Sequence, residues 1–506
     1  MEDKRVLEGI SPEKLFYFFE ELTRIPRGSG NEQAVSDYLV TFAKKRNLKV
    51  RQDDANNVVI WQEGTTGYED HAPVIIQGHM DMVCVKDEDC SIDLEKDSLD
   101  LCVNGDEIYA KGTSLGGDDG IAVAMALAIM DDDTIPHPPL EVIVTTDEEV
   151  GMTGASKLDV AGIEGRALLN IDSEDEGVLT AGCAGGMRVD HVLDVRRENS
   201  TGYSYRIIVD GLKGGHSGVE IDKGRGNAVV LLGRFLQELI AHFEESFCVQ
   251  LINYKGGEKD NAIPLLASAD ILVQIKDKEK QRGQLEANND AITSELSAYA
   301  DEYTRILKNE YALTDCNVSL RVEAINDDSA SDVMAVCAED TQVIADIIVA
   351  MPNGIQCMSA AIPGLPETSL NLGILELKDD ALYFSQSLRS AVASKKDALF
   401  NKISTIAKLA GARTSSRGAY PAWEFKKDSP LREVVTAKYK ELFGSEMKVD
   451  IIHAGLECGL LSEKLPGLDA ISIGPDLSDI HTTSEKLHIE STKRTFELVK
   501  AVLASM

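Results

Sequence analysis

The chain has 506 residues, too many for one ordinary core, so two or more domains are expected. Hydrophobic residues make up 43% and charged residues 27%, the balance of a soluble globular protein. A formal charge of −34 argues against nucleic acid or anionic membrane as a partner, since both need basic patches. Nine scattered cysteines, with no Cys-x-x-Cys pair, argue against a disulfide framework and suit reduced thiols in a cytosol. The opening Met1-Glu-Asp-Lys-Arg-Val6 has no apolar signal core behind its charges. The longest apolar run, Ile121 to Met130, is about half a membrane span. A cytoplasmic protein without a membrane partner is expected.

In chain order, Ser11-Pro12-Glu13 predicts a helix N-cap with proline in the first turn, followed by Leu15, Phe18, Phe19 and Leu22 at helical spacing. Arg27-Gly-Ser-Gly30 reads as a loop, residues 31–46 as a second amphipathic helix, and residues 48–61 as a strand pair around Asn56-Asn57. Residues 72–77 predict a short buried strand that runs into Gly78-His79-Met80-Asp81. Gly112-Thr-Ser-Leu-Gly-Gly-Asp118-Asp119-Gly120 then opens a helix over 121–130. A strand over 140–146 empties into Asp147-Glu148-Glu149, and another over 167–171 ends in Asp172-Ser173-Glu174. This alternation predicts an α/β domain, in which ligands bind beyond the carboxyl ends of the strands.

Gly182, Gly185 and Gly186 mark a shift to a different unit, with strands over 187–195 and 203–209, the loop Gly214-Gly-His216-Ser-Gly218 and a long helix over 227–243. Strands and helices continue to Gly418-Ala-Tyr-Pro421, which reads as a linker back. A helix over 430–443, a strand over 449–453, the loop Ala454-Gly455-Leu-Glu-Cys458-Gly459, a strand over 470–473 and a helix over 491–504 close the chain.

Each acidic or imidazole site has an ordinary reading when taken alone. A strand-end histidine is commonly a satisfied polar residue, Asp118-Asp119 suits an acidic helix start, Glu148-Glu149 a solvated pair and His481 a surface position. Their co-occurrence at loop junctions beside apolar segments points to a metal site. Zinc accepts imidazole nitrogen and carboxylate oxygen, and catalytic sites leave a position open for water. Two ions need a shared carboxylate with terminal ligands on each side, and a further carboxylate must stay off the metal to take a proton. Asp81 lies two residues from His79, so on an extended backbone both face the same way and Asp81 can hold the imidazole from behind. Adjacent Glu148 and Glu149 point apart, which divides them into one base and one ligand. Cys458, with no partner for nucleophilic chemistry, reads as a buried structural thiol.

Seven motifs carry a resemblance to a family: Gln77-Gly-His-Met-Asp-Met-Val83, Gly112 to Gly120, Thr146-Asp-Glu-Glu-Val-Gly151, Leu169-Asn-Ile-Asp-Ser-Glu174, Gly214 to Gly218, His453 to Gly459 and Ile480-His-Thr-Thr-Ser-Glu485. The sequence resembles the clan of co-catalytic zinc metallopeptidases that includes aminoacylases, glutamate carboxypeptidases and peptidase T. Within it, the chain is most similar to the aminoacyl-histidine dipeptidases (Xaa-His dipeptidases, peptidase D). Many relatives have Asp-Asp-Lys where this chain has Gly120, a glycine that the histidine-dipeptidase branch shares.

The resemblance implies an α/β fold: a mixed-sheet catalytic domain over 1–186 and 420–506, interrupted by an α+β lid and dimerisation domain over 187–419. It implies two divalent ions, zinc first, with cobalt or manganese also accepted by such ligands. His79 would sit on one ion, Asp118 would bridge the two, Glu149 and Asp172 would be the terminal carboxylates, one per ion, and His481 would complete the second. Glu148 is implied as general base and later acid for a metal-bridged water, and Asp81 as the carboxylate orienting His79. His216 matches a lid histidine that steadies the oxyanion, Asn261 a substrate contact, and Arg389 an arginine that pairs with the substrate's C-terminal carboxylate. Gly455 falls in a pocket-lining loop. The expected activity is hydrolysis of small dipeptides, preferentially Xaa-His and including β-alanyl-histidine, by a cytoplasmic homodimer. An N-acyl amino acid deacylase or a Cys-Gly-type dipeptidase on the same fold, and a catalytically silent metal-binding scaffold, are the competing readings.

Overall fold

The computed structural model describes residues 5–276, 285–325 and 330–506, with side chains from 289 onward in the helix that begins at Leu285. The chain divides into two compact units, Met1–Cys183 with Trp423–Met506, and Ala184–Ala422.

An eight-stranded sheet organises the first unit, in the order Lys49–Gln52, Val58–Gln62, Leu140–Thr145, Val74–His79, Ala167–Asn170, Asp469–Ser472, Val178–Cys183, Lys448–Ile452. Its four middle strands, from Leu140–Thr145 to Asp469–Ser472, run parallel, and the first two strands join antiparallel, so the sheet is mixed. Strands covered on both faces are apolar at nearly every position, and the alternation of side chains sends neighbours to opposite cores. Val74, Ile76, Val142 and Val144 enter one core, whereas Ile75, Ile143 and Leu168 enter the other. Residues of the helices Glu13–Thr23, Gln33–Lys45, Gly117–Met130, Pro430–Phe443 and Ile489–Leu503 fill the first core, and residues of Glu457–Lys464 the second. Gly117–Met130 is buried from Asp119 to its end, which is why its sequence is apolar all round and shows no helical stripe. Three parallel strands therefore deliver His79 and the segments after Thr145 and Asn170 to one edge of the sheet.

The second unit contains a ten-stranded sheet whose main path runs Ser319–Ala324, Arg197–Asp210, Ala267–Ile275, Phe247–Gly256, Pro366–Lys378, Ala381–Ser390, Gly185–Asp194, Arg413–Tyr420, antiparallel throughout. The helices Ala228–His242, Ala338–Ala350 and Ala393–Leu409 share a single core with it, an α+β arrangement. Gly233 marks the close approach of two of these helices: a Cβ there would overlap Ile348 Cγ2 and lie 3.0 Å from Ile348 Cβ. Alanine would gain about 1 kcal/mol in helix propensity, but overpacking a fitted core costs roughly 1–3 kcal/mol. Gly233→Ala is therefore expected to lower the urea midpoint of this unit; an unchanged or higher midpoint would mean that the helices separate freely.

Three local expectations are corrected. Pro12, not Ser11, occupies the cap position of the first helix, and no side chain caps it. The stretch read as a linker at 418–421 is largely strand: Arg413–Tyr420 pairs with Gly185–Asp194. It is a polar, exposed edge strand, so it lacks the apolar alternation by which a strand is recognised. The loop at 454–459 gives way at Glu457 to a helix ending at Lys464, whose Glu-Cys-Gly start masks its helical period.

Candidate metal centre

The candidate ligands stand where the sheet's geometry puts them. His79 ends its own strand, Glu148 and Glu149 follow Leu140–Thr145, and Asp172 follows Ala167–Asn170. Asp118 and Asp119 open the helix Gly117–Met130 in non-helical conformations, which turns the two carboxylates in different directions. His481 lies between the short strands Leu477–Ser478 and Lys486–His488, in the left-handed region with φ 61°.

Three groups of potential ligand atoms fall within 4.8 Å of one another: His79 with Asp118 and Asp172, Asp118 with Glu149 and His481, and His79 with Glu148 and Glu149. Asp118 belongs to the first two. Its Oδ1 is 3.1 Å from His79 Nε2 and its Oδ2 is 3.2 Å from His481 Nε2. Asp172 Oδ1 lies 3.4 Å from His79 Nε2, and Glu149 Oε1 lies 3.0 Å from His481 Nε2. Asp119 is turned away and accepts the His79 backbone N–H at 3.2 Å, so it supports the strand end.

Asp81 is fully buried behind His79, with Oδ1 3.4 Å from the imidazole Nδ1. It accepts from Ser29 Oγ at 2.8 Å and from the backbone N–H groups of Glu148 and Glu149 at 3.1 and 3.3 Å. One carboxylate thus fixes both the imidazole and the turn that carries the two glutamates. A proton on Nδ1 facing Asp81 leaves the Nε2 lone pair free for a cation shared with Asp118 and Asp172.

The electrostatics are those of a crowded anionic pocket. Burial pushes Glu148 well above the usual carboxylate range; His79 opposes this, while Asp172, Glu457 and Glu149 add to it. Burial likewise raises Asp172, to about 6. Burial disfavours the charged form of His79, yet Asp172, Asp118 and Asp81 outweigh it and hold the imidazole well above its ordinary value. Hydrogen bonds donated to Asp118 and Glu149 raise His481 to about 10. Carboxylates and imidazoles in this arrangement compensate one another with protons in the way that they would share a cation.

Of the remaining candidates, Gly455 lies in the first unit, just before the helix Glu457–Lys464, and His216, Asn261 and Arg389 lie in the second. There His216 and Ala262 are paired across a two-residue ladder, Ser217 N–H donates to Asn261 O at 2.8 Å, and Gly218 and Val219 N–H donate to His216 Nδ1 at 3.2 Å each. Burial lowers the His216 pKa, and the nearby Arg389 charge lowers it further. Arg389 itself donates to Tyr420 Oη at 3.1 Å.

Three buried residues around the ligands have no role in the sequence reading. Glu457 Oε2 accepts from Gln77 Nε2 and Thr145 Oγ1, both at 2.6 Å, tying together the strands that lead to His79 and Glu148. Burial pushes its carboxyl up to about 8. Arg27 and Glu485 brace the turn before Asp118. Glu457 and Glu485 both fall inside motifs that mark the resemblance; nothing in Arg27-Gly-Ser-Gly30 singles out the arginine.

The model of peptidase family M20/M25/M40 matches residues 75–505. The chain belongs to this family. It is 37% identical over 499 residues to the cytosol non-specific dipeptidase of Escherichia coli (strain K12), covering 98% of each sequence. The crystal structure of an aminoacylhistidine dipeptidase from Vibrio alginolyticus superposes with a TM-score of 0.89 at 33% identity, covering 100% of this chain and 98% of that one. The aminopeptidase PepT from Bacillus cereus shares the fold, with a TM-score of 0.55 at 17% identity over 98% of both chains. The M20/M25/M40 match begins one residue into the strand that ends in His79 and runs past His481, so all five candidate ligands lie within it.

Proposed function

We propose that the protein is a dinuclear metal-dependent dipeptidase that hydrolyses small dipeptides, with a preference for C-terminal histidine that includes β-alanyl-histidine. The observation that carries the reading is Asp118, whose two oxygens face imidazoles from two separate ligand groups. Whole-length similarity to a non-specific dipeptidase and to an aminoacylhistidine dipeptidase supports the substrate class.

The residues fit two divalent ions. His79, Asp118 and Asp172 would hold one, and Asp118, Glu149 and His481 the other. Two imidazole nitrogens and three carboxylates form a donor set that suits zinc, and also cobalt or manganese. When bound, such ions supply Lewis acidity, which polarises a peptide carbonyl and makes water more acidic.

Glu148 takes a proton from the attacking water and returns it to the leaving amine. Its burial, which raises its proton affinity, suits it to hold that proton between the two transfers. Asp81 keeps His79 in one tautomer and sets the Glu148 backbone. In the second unit, Arg389 offers a planar fork for a C-terminal carboxylate, His216 an imidazole for the oxyanion and Asn261 an amide; Gly455 lines the pocket in this reading. We read the protein as cytoplasmic, in keeping with the name of the Escherichia coli cytosol non-specific dipeptidase, and as a homodimer, as the sequence resemblance implies. No helix among the described residues is long and apolar enough to cross a membrane.

The test is histidine release from a panel of Xaa-His dipeptides, run with added zinc, cobalt or manganese and after chelation, beside N-acetyl amino acids and Cys-Gly. Chelator-sensitive release of histidine, faster than hydrolysis of the other substrates, is expected. Faster turnover of N-acetyl amino acids would replace the reading with a deacylase, and no turnover with any metal would point to a silent scaffold.

A further inference from the structure

Arg27 is 1% exposed and forms no salt bridge among the described residues. Its donors go to backbone carbonyls. Nη1 reaches Met80 O at 2.9 Å and Asp81 O at 3.2 Å, and Nη2 reaches Gly116 O. On the N–H side of the same turn stands Glu485, 3% exposed, which accepts from the backbone N–H of Leu115, Gly116 and Gly117 at 2.8, 3.0 and 2.8 Å. A buried cation thus holds the turn's carbonyl, and a buried anion holds its N–H groups.

We propose that Arg27 and Glu485 are positioning residues, a two-sided clamp on the Leu115–Gly117 turn that sets the Asp118 carboxylate between His79 and His481. The inference rests on the reading of Asp118 as the ligand shared by two ions. Three segments meet in the clamp, and each carries one of the residues concerned. Arg27 grips the two carbonyls that follow His79, the turn itself leads into Asp118, and Glu485 lies four residues beyond His481. The run Gly112 to Gly117 contains three glycines, so its backbone has little preference of its own and needs outside contacts to fix one conformation. Partners of this kind, behind the ligands, typically account for about 10–100-fold in metal affinity.

The clamp also gives a physical reason for two of the glycines. A Cβ on Gly116 would lie 2.5 Å from Arg27 Nη2, and Gly116 has φ +67°. A Cβ on Gly120 would strike the same nitrogen and lie 3.1 Å from Arg27 Cζ. A side chain at 120 and the guanidinium at 27 compete for one space, so Gly120 is the vacancy into which Arg27 fits.

The experiment uses the full chain, stripped of metal and titrated with cobalt while visible absorption is recorded, alongside thermal unfolding of the metal-free forms. Glu485→Gln keeps the size of the side chain but replaces one acceptor oxygen with an NH2 that faces backbone N–H. Gly120→Ala presses one methyl against the guanidinium, and Arg27→Met removes the cation. Wild type is expected to take up two ions. Glu485→Gln and Gly120→Ala are expected to bind cobalt about 10–100-fold more weakly, with an altered cobalt spectrum and a metal-free form that unfolds somewhat earlier than wild type but is still fully folded at the titration temperature. Arg27→Met removes a buried charge; if it does not fold, the other two variants decide the matter. Wild-type affinity for both ions in Glu485→Gln and Gly120→Ala overturns the clamp, as does a weakening that comes only with loss of the metal-free fold. A wild type that takes up fewer than two ions sinks the two-ion reading itself, a failure distinct from that of the clamp.

Discussion

Glu148→Ala retains two bound metal ions and a folded sheet while its kcat falls by about 10²–10⁴-fold, the usual loss when a positioned acid–base group is removed. The expectation follows from the division of labour at the end of the Leu140–Thr145 strand. Glu149 turns to His481, with 3.0 Å between Oε1 and Nε2, whereas no hydrogen bond or ion pair among the described residues engages the Glu148 carboxylate. Asp81 still binds the backbone N–H of residue 148 in the variant, so the turn keeps its shape. KM should move little, because the lost interaction belongs to the transition state. Steady-state rates on an Xaa-His dipeptide, paired with metal analysis of the same sample, test this. A fall of less than tenfold, or loss of an ion together with activity, would remove Glu148 from the base role.

Metal removal should reverse the pH dependence of stability. Without ions, burial and neighbouring carboxylates raise Asp119, Glu148 and Asp172, so these groups bind protons more readily in the folded state. Glu457 is raised by burial to about 8, and His481 by Asp118 and Glu149 to about 10. Groups whose pKa rises on folding contribute stability that is complete below their unfolded values and is lost as pH climbs through the folded ones. Burial lowers His137 and His191, which act in the opposite sense, but both are already neutral above pH of about 6.5. Between pH 7 and 9, on the order of the range spanned by these shifts, the metal-free protein should therefore melt progressively earlier. The metal-loaded protein should hold or gain stability over the same range, because ions bind the deprotonated carboxylates. At neutral pH and a free-metal level about 1,000-fold above Kd, each ion adds about 4 kcal/mol. Calorimetric scans with and without chelator, at several pH values, check both arms. Parallel pH profiles for the two forms would mean that these groups do not share the cation.

The sequence makes the ends of the parallel strands legible because three independent signals coincide there: an apolar run, its abrupt end and a ligand-type residue. His79, Glu148-Glu149 and Asp172 all have that form, and the structure brings them to one sheet edge with Asp118 and His481. Asp118 and Asp119 are not separable by spacing, since neither adopts helical angles; what distinguishes them is the contact of Asp119 with the His79 N–H. Arg27, Glu457 and Glu485 escape a reading by pattern because their partners are backbone groups or side chains tens to hundreds of positions away, and such pairings leave no local period. The strand Arg413–Tyr420 is obscure for the opposite reason: an exposed polar edge carries no apolar alternation. The Glu457–Lys464 helix is obscured by its short length and its glycine near the start.

The interrupted layout of the first unit bears on how the chain is made. The strands Lys448–Ile452 and Asp469–Ser472, and His481 with its partner loop, lie on the far side of the second unit in sequence, yet they belong to the first unit. A ribosome releases the strand ending at Asn170 long before the strand beside it, Asp469–Ser472, has been translated. Until then the strand Ala167–Asn170 lacks this neighbour, and Asp118 and Glu149 lack His481, the third member of their group. Domains generally fold as units during synthesis, so the inserted Ala184–Ala422 unit, whose strands are contiguous, can finish first while the enclosing one waits. Assembly of the proposed second ligand group, which needs His481, is thereby deferred to the end of translation, whereas His79, Asp118 and Asp172 are all made before the inserted unit.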